Sequence, residues 1–545
     1  MFLCAAVVIA AICARLAWLT TDAYGRLDWS AGLLTDEGFY THNARNTVAL
    51  GTPRTDDFNN MLLSPLLHAV QVSALRVGGI SVVPVRLVSV LCSLLTLLLM
   101  WDTLRRLFGR RTAWTFVGIY GLDHSMLLFH RMALMDTPAS FGAALGFRLF
   151  IEGVHRNSRV FHFLSSAVVM AVVLNRSLCL YLLPIPLLAA CFPTKKMMSS
   201  LLMASTAGVL CVVGSWWLLW AGPNAAELRH MTTYYRTRQV QPKSAAGAVR
   251  NIQHAVLGDH RGLAPYLFRH TGVVFSIALL ALPVVLQRRR NPEMGGDASE
   301  QITHCAAAYL GLWLLMGWSL LAVINYSPAR YYVSTYPAMA ALASVAVWRW
   351  ERISAWWNSH RTAAAATAGF LAFHTVEAVV HRGGVVPLSV TWTLLTVLPI
   401  TAAAVCYRAC LLHKVRPAHL LTVWSILNGW WLIGWWRTLD DSQFRTSLWL
   451  KRNTPPNAVL IGDVAPGLNM EAGRTAVSVI PGLCNDTNTL QRWKGRPRYI
   501  VILDGRWKEA WWLRHYPDVI RAENRVLLTR VLRWDVGIYR VPDDR

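Results

Sequence analysis

The chain has 545 residues, of which 54% are hydrophobic and only 15% charged. An ordinary soluble domain carries about 25% charged residues, so the composition excludes that class and points to a polytopic α-helical membrane protein. The 53 basic against 29 acidic residues give a net charge of +24, but the bases sit in short clusters between apolar runs, which is the pattern of topology signals and argues against a nucleic-acid partner.

A bilayer span needs about 20 apolar residues, and by that rule the sequence predicts about thirteen spans. The first runs from about Met1 to Thr20. It has no basic n-region and no clear cleavage site, so a retained span is expected and not a signal peptide. The polar segment 21–78 follows as a first external loop. Within it, Thr35 is placed to cap a short helix from Asp36 to Leu50, with Asp36 and Glu37 in the first turn, where the helix dipole favours negative charge. Gly51 and Pro53 end that helix. Helical spacing puts Asp36 and Tyr40 on one face, and Arg45 further along could pair with Glu37 or with a ligand phosphate. The plainer reading is a capped interfacial helix with Asp36 as a capping acid.

Span two, near Ile80 to Trp101, ends at the basic run Arg105 to Arg111, a cytoplasmic signal that puts Asp36 on the opposite, external side. Span three, Ala113 to Phe129, leads to an external turn from His130 to Pro138, which holds Arg131 and Asp136. Span four returns to Arg148, His155, Arg156 and Arg159; span five ends outside at Arg176; span six returns to Lys195 and Lys196. Span seven leads to a second long external loop, 222–270, with Tyr234, Tyr235, Arg236, Arg238 and an amphipathic stretch near Ala248 to Leu257. Span eight ends inside at Arg288 to Arg290, and span nine leads out to Asn325 to Tyr332, which contains Arg330 and Tyr331. Spans ten to thirteen alternate through Arg349 and Arg352, His381, then Arg408, Lys414 and Arg416, and finish with Leu420 to Trp436.

From about Leu439 the composition changes. Ala458 to Asp463 and Arg498 to Asp504 read as buried strands, 506–516 as a helix, and Arg525 to Val541 as two strands. The expected division is a transmembrane part, 1–438, and a small C-terminal extracytoplasmic α/β domain, 439–545.

Asp36 with Glu37, Arg131 with Asp136, Arg176, and Arg330 with Tyr331 thus stand on four external turns. Charges near membrane depth are costly and usually face a cavity or a partner. Arginine suits a phosphate because its guanidinium binds two oxygens at once. Together they suggest a site that binds an anion and abstracts a proton. Each has a plainer reading: Arg131 and Arg176 as snorkelling side chains, Asp136 as the N-cap of span four, Arg330 as a structural partner of an acid in the first loop. Asp123 with His124 reads as a satisfied polar pair, Asp463 and Asp504 as turn formers, and His42 as structural or solvated. No group has metal-ligand spacing, so no cofactor is expected, with a divalent ion left open.

These residues resemble the GT-C class of membrane glycosyltransferases, nearest the branch joining protein O-mannosyltransferases and the aminoarabinose transferases that modify lipid A. Asp36-Glu37-Gly38-Phe39-Tyr40 with Ala44-Arg45 is similar to the family's acidic motif in its first external loop. Arg131 to Pro138 is similar to its external Asp-x-Pro turn, and Ser327 to Pro337 to its Arg-Tyr motif before a late span. The resemblance implies Asp36 as general base, Asp136 as a second active-site acid, Arg176 beside the lipid phosphate, and Arg330 with Tyr331 at the donor. Glu37, Tyr40, Arg45 and Arg131 are expected to help bind substrate. It further implies a polyprenyl-phosphate sugar as donor, a lipid, glycan or protein hydroxyl as acceptor, and a multi-pass protein of the inner or plasma membrane with an outward-facing site. In one respect the chain departs from the family. Aminoarabinose transferases carry Lys-Pro-Pro in the first loop, where this chain has Leu62-Leu63-Ser64-Pro65-Leu66, which weighs against lipid A. A transporter or flippase of a lipid-linked sugar is the competing class; the concentration of charge at one face and the lack of an internal repeat speak against it.

Overall fold

The computed structural model describes residues 2–25, 32–190, 198–257, 267–286, 298–326, 328–363, 365–366, 369, 416–503, 507–532 and 534–542. The expectations for Lys195, Lys196, Arg288 to Arg290, Ser327, Asp504, span eleven with His381, and the part of span twelve with Arg408 and Lys414 lie outside the described residues.

The helices of the first 360 residues are α1 (Phe2–Leu16), α2 (Asp36–Leu50), α3 (Pro65–Gly78), α4 (Val82–Phe108), α5 (Arg110–Leu122), α6 (His124–His130), α7 (Asp136–Arg156), α8 (Arg159–Asn175), α9 (Ile185–Ala190), α10 (Met198–Trp216), α11 (Ala225–Tyr235), α12 (Ala245–Leu257), α13 (Leu267–Leu286), α14 (Ala298–Val323), α15 (Tyr336–Trp348) and α16 (Trp350–Ser359). After them come α17 (Pro417–Arg437) and α18 (Ser442–Asn453). Among the described residues three helices are long and apolar enough to cross a membrane, Val82–Phe108, Leu201–Ala221 and Glu300–Val323, with shorter apolar helices at Cys4–Leu16, Arg159–Asn175, Ser177–Ala189 and Gly272–Val285.

Two expected spans are interrupted, each for a local reason. Asp123 stops α5 and caps α6: its carboxylate accepts from the Ser125 and Met126 amides at 3.0 and 3.4 Å and from Trp424 Nε1 at 3.0 Å. The stretch expected as span six is a 3₁₀ turn (Ser177–Leu182) and the short α9, because Pro184 and Pro186 withdraw two backbone donors within three residues. The bundle interior is aromatic, with Phe116, Tyr120, Phe147, Phe150, Tyr309 and Trp313 buried in one cluster where α7 packs on α4 and α8, and α15 on α5 and α13.

The C-terminal segment carries a five-stranded sheet in the order β2-β1-β3-β5-β4. Its strands are β1 (Val459–Ile461), β2 (Thr475–Val477), β3 (Arg498–Leu503), β4 (Arg525–Val531) and β5 (Trp534–Arg540). β1 lies parallel to β2 and β3, and β5 antiparallel to β3 and β4. This segment is tied to residues 38–82 at several points. The Arg45 guanidinium donates to the Asn469 and Arg474 carbonyls at 3.2 and 3.1 Å. Glu471 Oε1 accepts from the Val82 amide at 2.7 Å and the Ser81 hydroxyl at 3.0 Å. Asp56 accepts from the Ser478 amide at 2.9 Å and Asn485 at 3.2 Å. Backbone also meets backbone here. A Cβ on Gly38 would lie 2.2 Å from the Leu33 carbonyl oxygen and 2.8 Å from Gly467 Cα, so this contact requires a glycine on α2.

Candidate active site

α2 delivers Asp36. Gly51 ends the helix in the left-handed conformation (φ 76°) as the sequence predicts, but Thr35 makes no capping bond; its hydroxyl donates instead to the Gly32 carbonyl at 3.1 Å. The Asp36 carboxylate faces the turn that carries Arg330. It pairs with Arg330 and accepts a long hydrogen bond, 3.4 Å, from the Tyr40 hydroxyl one turn on. Its side chain keeps 20% exposure, whereas Arg330 keeps 2%.

Asp136 is the first residue of α7, with Met135 at the cap position. It does not act as the cap; it forms a buried pair with Arg176 Nη2 at 2.7 Å. Arg176 ends α8, and Arg330 and Tyr331 sit in a 3₁₀ turn, Ala329–Thr335, that Ser140 of α7 holds through the Val333 carbonyl at 3.0 Å. The two pairs meet on Tyr331. The Arg176 guanidinium lies 4.3 Å from that ring's centroid and Arg330 4.9 Å, a distance at which each cation is attracted to the ring face. Burial, and then the charge of Asp36, hold the Tyr40 hydroxyl well above its usual range against the pull of Arg176 and Arg330, so it stays a donor. Asp36, Tyr40, Asp136, Arg176, Arg330 and Tyr331, drawn from four turns, therefore form one cluster.

Three expected substrate-binding residues lie elsewhere. Glu37 is fully buried and faces away from Asp36: both its oxygens take Arg86, each at 2.7 Å, and Oε1 also accepts the Ala133 amide at 2.8 Å. Arg45 is spent on Asn469, Arg474 and Asn46. Arg131 donates to the Ala17 and Trp18 carbonyls and stacks over Trp435 at 4.6 Å. Each is tied by these contacts to other parts of the protein. His42, read from the sequence as structural or solvated, pairs with Asp56 at 3.1 Å. Sequence reasoning passed over Arg86. Its signal was a lone charge in an otherwise apolar run, which needs a partner. Among the described residues there is no group of three or more His, Cys, Asp or Glu side chains able to hold a metal ion.

Residues 64–220 match the family described as dolichyl-phosphate-mannose-protein mannosyltransferase. No match is found among curated proteins. Among solved structures, ArnT from Cupriavidus metallidurans bound to undecaprenyl phosphate aligns with 98% of this chain and 97% of its own, at 16% identity and a TM-score of 0.59. The same protein in the apo state aligns over the same shares at 16% identity and a TM-score of 0.56. At this identity the likeness speaks for the fold. The resemblance read from the motifs therefore holds: this chain has the fold of the GT-C membrane glycosyltransferases along its length and the mannosyltransferase family match over residues 64–220.

Proposed function

We propose that the protein is an inverting glycosyltransferase that moves a sugar from a polyprenyl-phosphate donor to an acceptor hydroxyl at the outer face of the membrane. The observation that carries this reading is the pair of carboxylates, Asp36 and Asp136, each held on an arginine, with both guanidinium groups against Tyr331. Asp36 is the base. It takes the proton of the acceptor hydroxyl as that oxygen bonds to the anomeric carbon, and the bond from that carbon to the phosphate oxygen breaks with its electron pair. The developing charge falls on the phosphate, where Arg330 and Arg176 stabilise it in a site largely shielded from water. Asp136 keeps Arg176 oriented, and Tyr40 steadies the Asp36 carboxylate. One base and a good leaving group suffice for single displacement, which inverts the anomeric centre. The undecaprenyl phosphate held by the solved relative supports a polyprenyl-phosphate ligand.

In this reading residues 1–438 hold about thirteen bilayer crossings, and residues 439–545 form an α/β domain on the same outer side as Asp36. Transport is not favoured, because the paired charges gather at one end of the bundle and not at its midplane. The test is an assay of the purified protein with a panel of polyprenyl-phosphate sugars and hydroxyl acceptors, detecting released polyprenyl phosphate. Acceptor-dependent release from one donor is expected; release from none, or sugar movement across a vesicle with no release, contradicts it.

A further inference from the structure

The residues above account for the donor and the base and leave the acceptor without a seat. An open groove of about 440 Å³ lies on α11 against the turn at Gly482, with Arg229, His230, Thr233 and Tyr234 on its wall. His230 Nε2 donates to the Leu483 carbonyl at 3.0 Å, which fixes the turn against α11. Arg238 stacks over Tyr234 at 4.8 Å and reaches the rim: a Cβ on Gly482, where φ is +78°, would stand 3.3 Å from its Nη2.

The groove is basic, and the Tyr234 side chain holds Arg238 at its rim. Arg229 and Arg238 make no ion pair with a carboxylate among the described residues. Of the neighbouring acids, Glu227 pairs with Arg54 at 3.3 Å, and Asp486 accepts the Gly482 amide at 2.6 Å while its charge still acts on Tyr234. The groove also lies close to the base. Tyr235 follows its wall and packs in one apolar cluster with Phe39 of α2, Phe58 and Leu483. Burial raises its hydroxyl most, with Cys484 and the Asp36 carboxylate adding to the rise, so it stands within electrostatic reach of the catalytic carboxylate.

We infer that this groove is the acceptor subsite, and that it takes an acceptor bearing an anion, a phosphate or carboxylate, beside the hydroxyl that Asp36 deprotonates. Arg229 and Arg238 hold the anion, the forked guanidinium being suited to two oxygens at once. His230 and Gly482 shape the seat. The inference rests on the glycosyltransferase reading and deepens it by naming the acceptor chemistry.

The test is binding to the full-length protein in detergent. Phosphatidylinositol and glucose 6-phosphate serve as lipid-borne and soluble anionic probes, with monoglucosyl diacylglycerol and glucose as neutral counterparts. At least one anionic probe should bind more tightly than its neutral counterpart. Arg229→Ala/Arg238→Ala should weaken that probe at least tenfold, and Arg229→Lys/Arg238→Lys should recover only part of the affinity, because lysine restores the charge without the fork, with the thermal midpoint unchanged. Preference for the inositol lipid assigns the anion to a headgroup, and preference for the sugar phosphate assigns it to a free glycan. Equal binding of anionic and neutral probes, no binding of either, or a double alanine variant that binds like the wild type overturns the inference. Undecaprenyl phosphate, measured in parallel, reports on the donor reading separately: it should be unaffected by the groove variants, and if it fails to bind while an anionic probe succeeds, the donor reading fails and the groove stands.

Discussion

Two guanidinium groups lie against Tyr331 and each pairs with a carboxylate, and this sets what single substitutions should do. Hydrogen bonds to charged groups contribute about 1.5–3 kcal/mol each. Arg330→Ala should therefore weaken binding of a polyprenyl phosphate by roughly 10- to 100-fold, measured by thermal shift or direct binding. Arg330→Lys should recover only part of it, because a lysine restores the charge without the planar fork. At this scale the sequence was legible where chemistry and sidedness agreed: Asp36, Asp136, Arg176, Arg330 and Tyr331 fall on turns that the basic clusters place on one side. It was illegible where a side chain's partner lies far along the chain. Nothing near Glu37 names Arg86, nothing near Arg45 names Asn469 or Arg474, and nothing near Arg131 names Trp435.

Among the elements, Glu37 and its neighbour Asp36 should behave differently although both are acids in the first turn of α2. Glu37 joins α2 to α4 through Arg86 and to the turn before Asp136 through the Ala133 amide. Removing one partner of a buried ion pair typically costs about 3–5 kcal/mol. Glu37→Gln should lower the thermal midpoint and the yield along with activity, whereas Asp36→Asn, at a carboxylate that keeps 20% exposure beside Arg330, should lower the midpoint by less. The contact between the first loop and α18 should also be pH-sensitive. Asp22 accepts from Ser442 at 3.0 Å and from the Gln443 amide at 3.2 Å, and burial pushes its carboxyl up to about 7 despite those bonds and Arg86, with Asp440 adding to the rise. A carboxyl that holds its proton more tightly in the folded chain than in the unfolded one stabilises in acid, fully below its ordinary value of about 4, and loses that contribution as the pH rises through its folded value. The thermal midpoint should thus fall between pH 5 and pH 8, and Asp22→Asn should flatten the dependence. The hydropathy pattern gave most helices, but it could not show that Asp123 and the Pro184–Pro186 pair break two of them. Nor could it show β2, whose three residues carry too little pattern to register.

For the whole molecule, the proposed catalytic residues all precede residue 332, yet the C-terminal segment grips the loop that carries the first of them. Arg45, Asp56 and the Gly38–Gly467 contact fasten α2 to residues 467–485, and Glu471 fastens the start of α4. A chain ending at Thr438 should therefore lose transferase activity and unfold at a lower temperature than the full chain, even when it inserts normally. Full activity of that truncated form would reduce the C-terminal sheet to an accessory. Four of the five strands are readable from their apolar runs, and β2 is not. The sheet's use as a clamp was not, because a long-range polar contact leaves no periodicity in either partner.

The proposed mechanism depends most on Asp36 as the proton acceptor. Its most direct measurement is the rate of polyprenyl phosphate release by the Asp36→Asn variant at saturating donor and acceptor, beside wild-type protein, at a temperature where both are folded. General-base help is typically worth about 10²–10⁴-fold, so the predicted result is a loss of that size in kcat with polyprenyl-phosphate binding retained. A variant that turns over at the wild-type rate would contradict it.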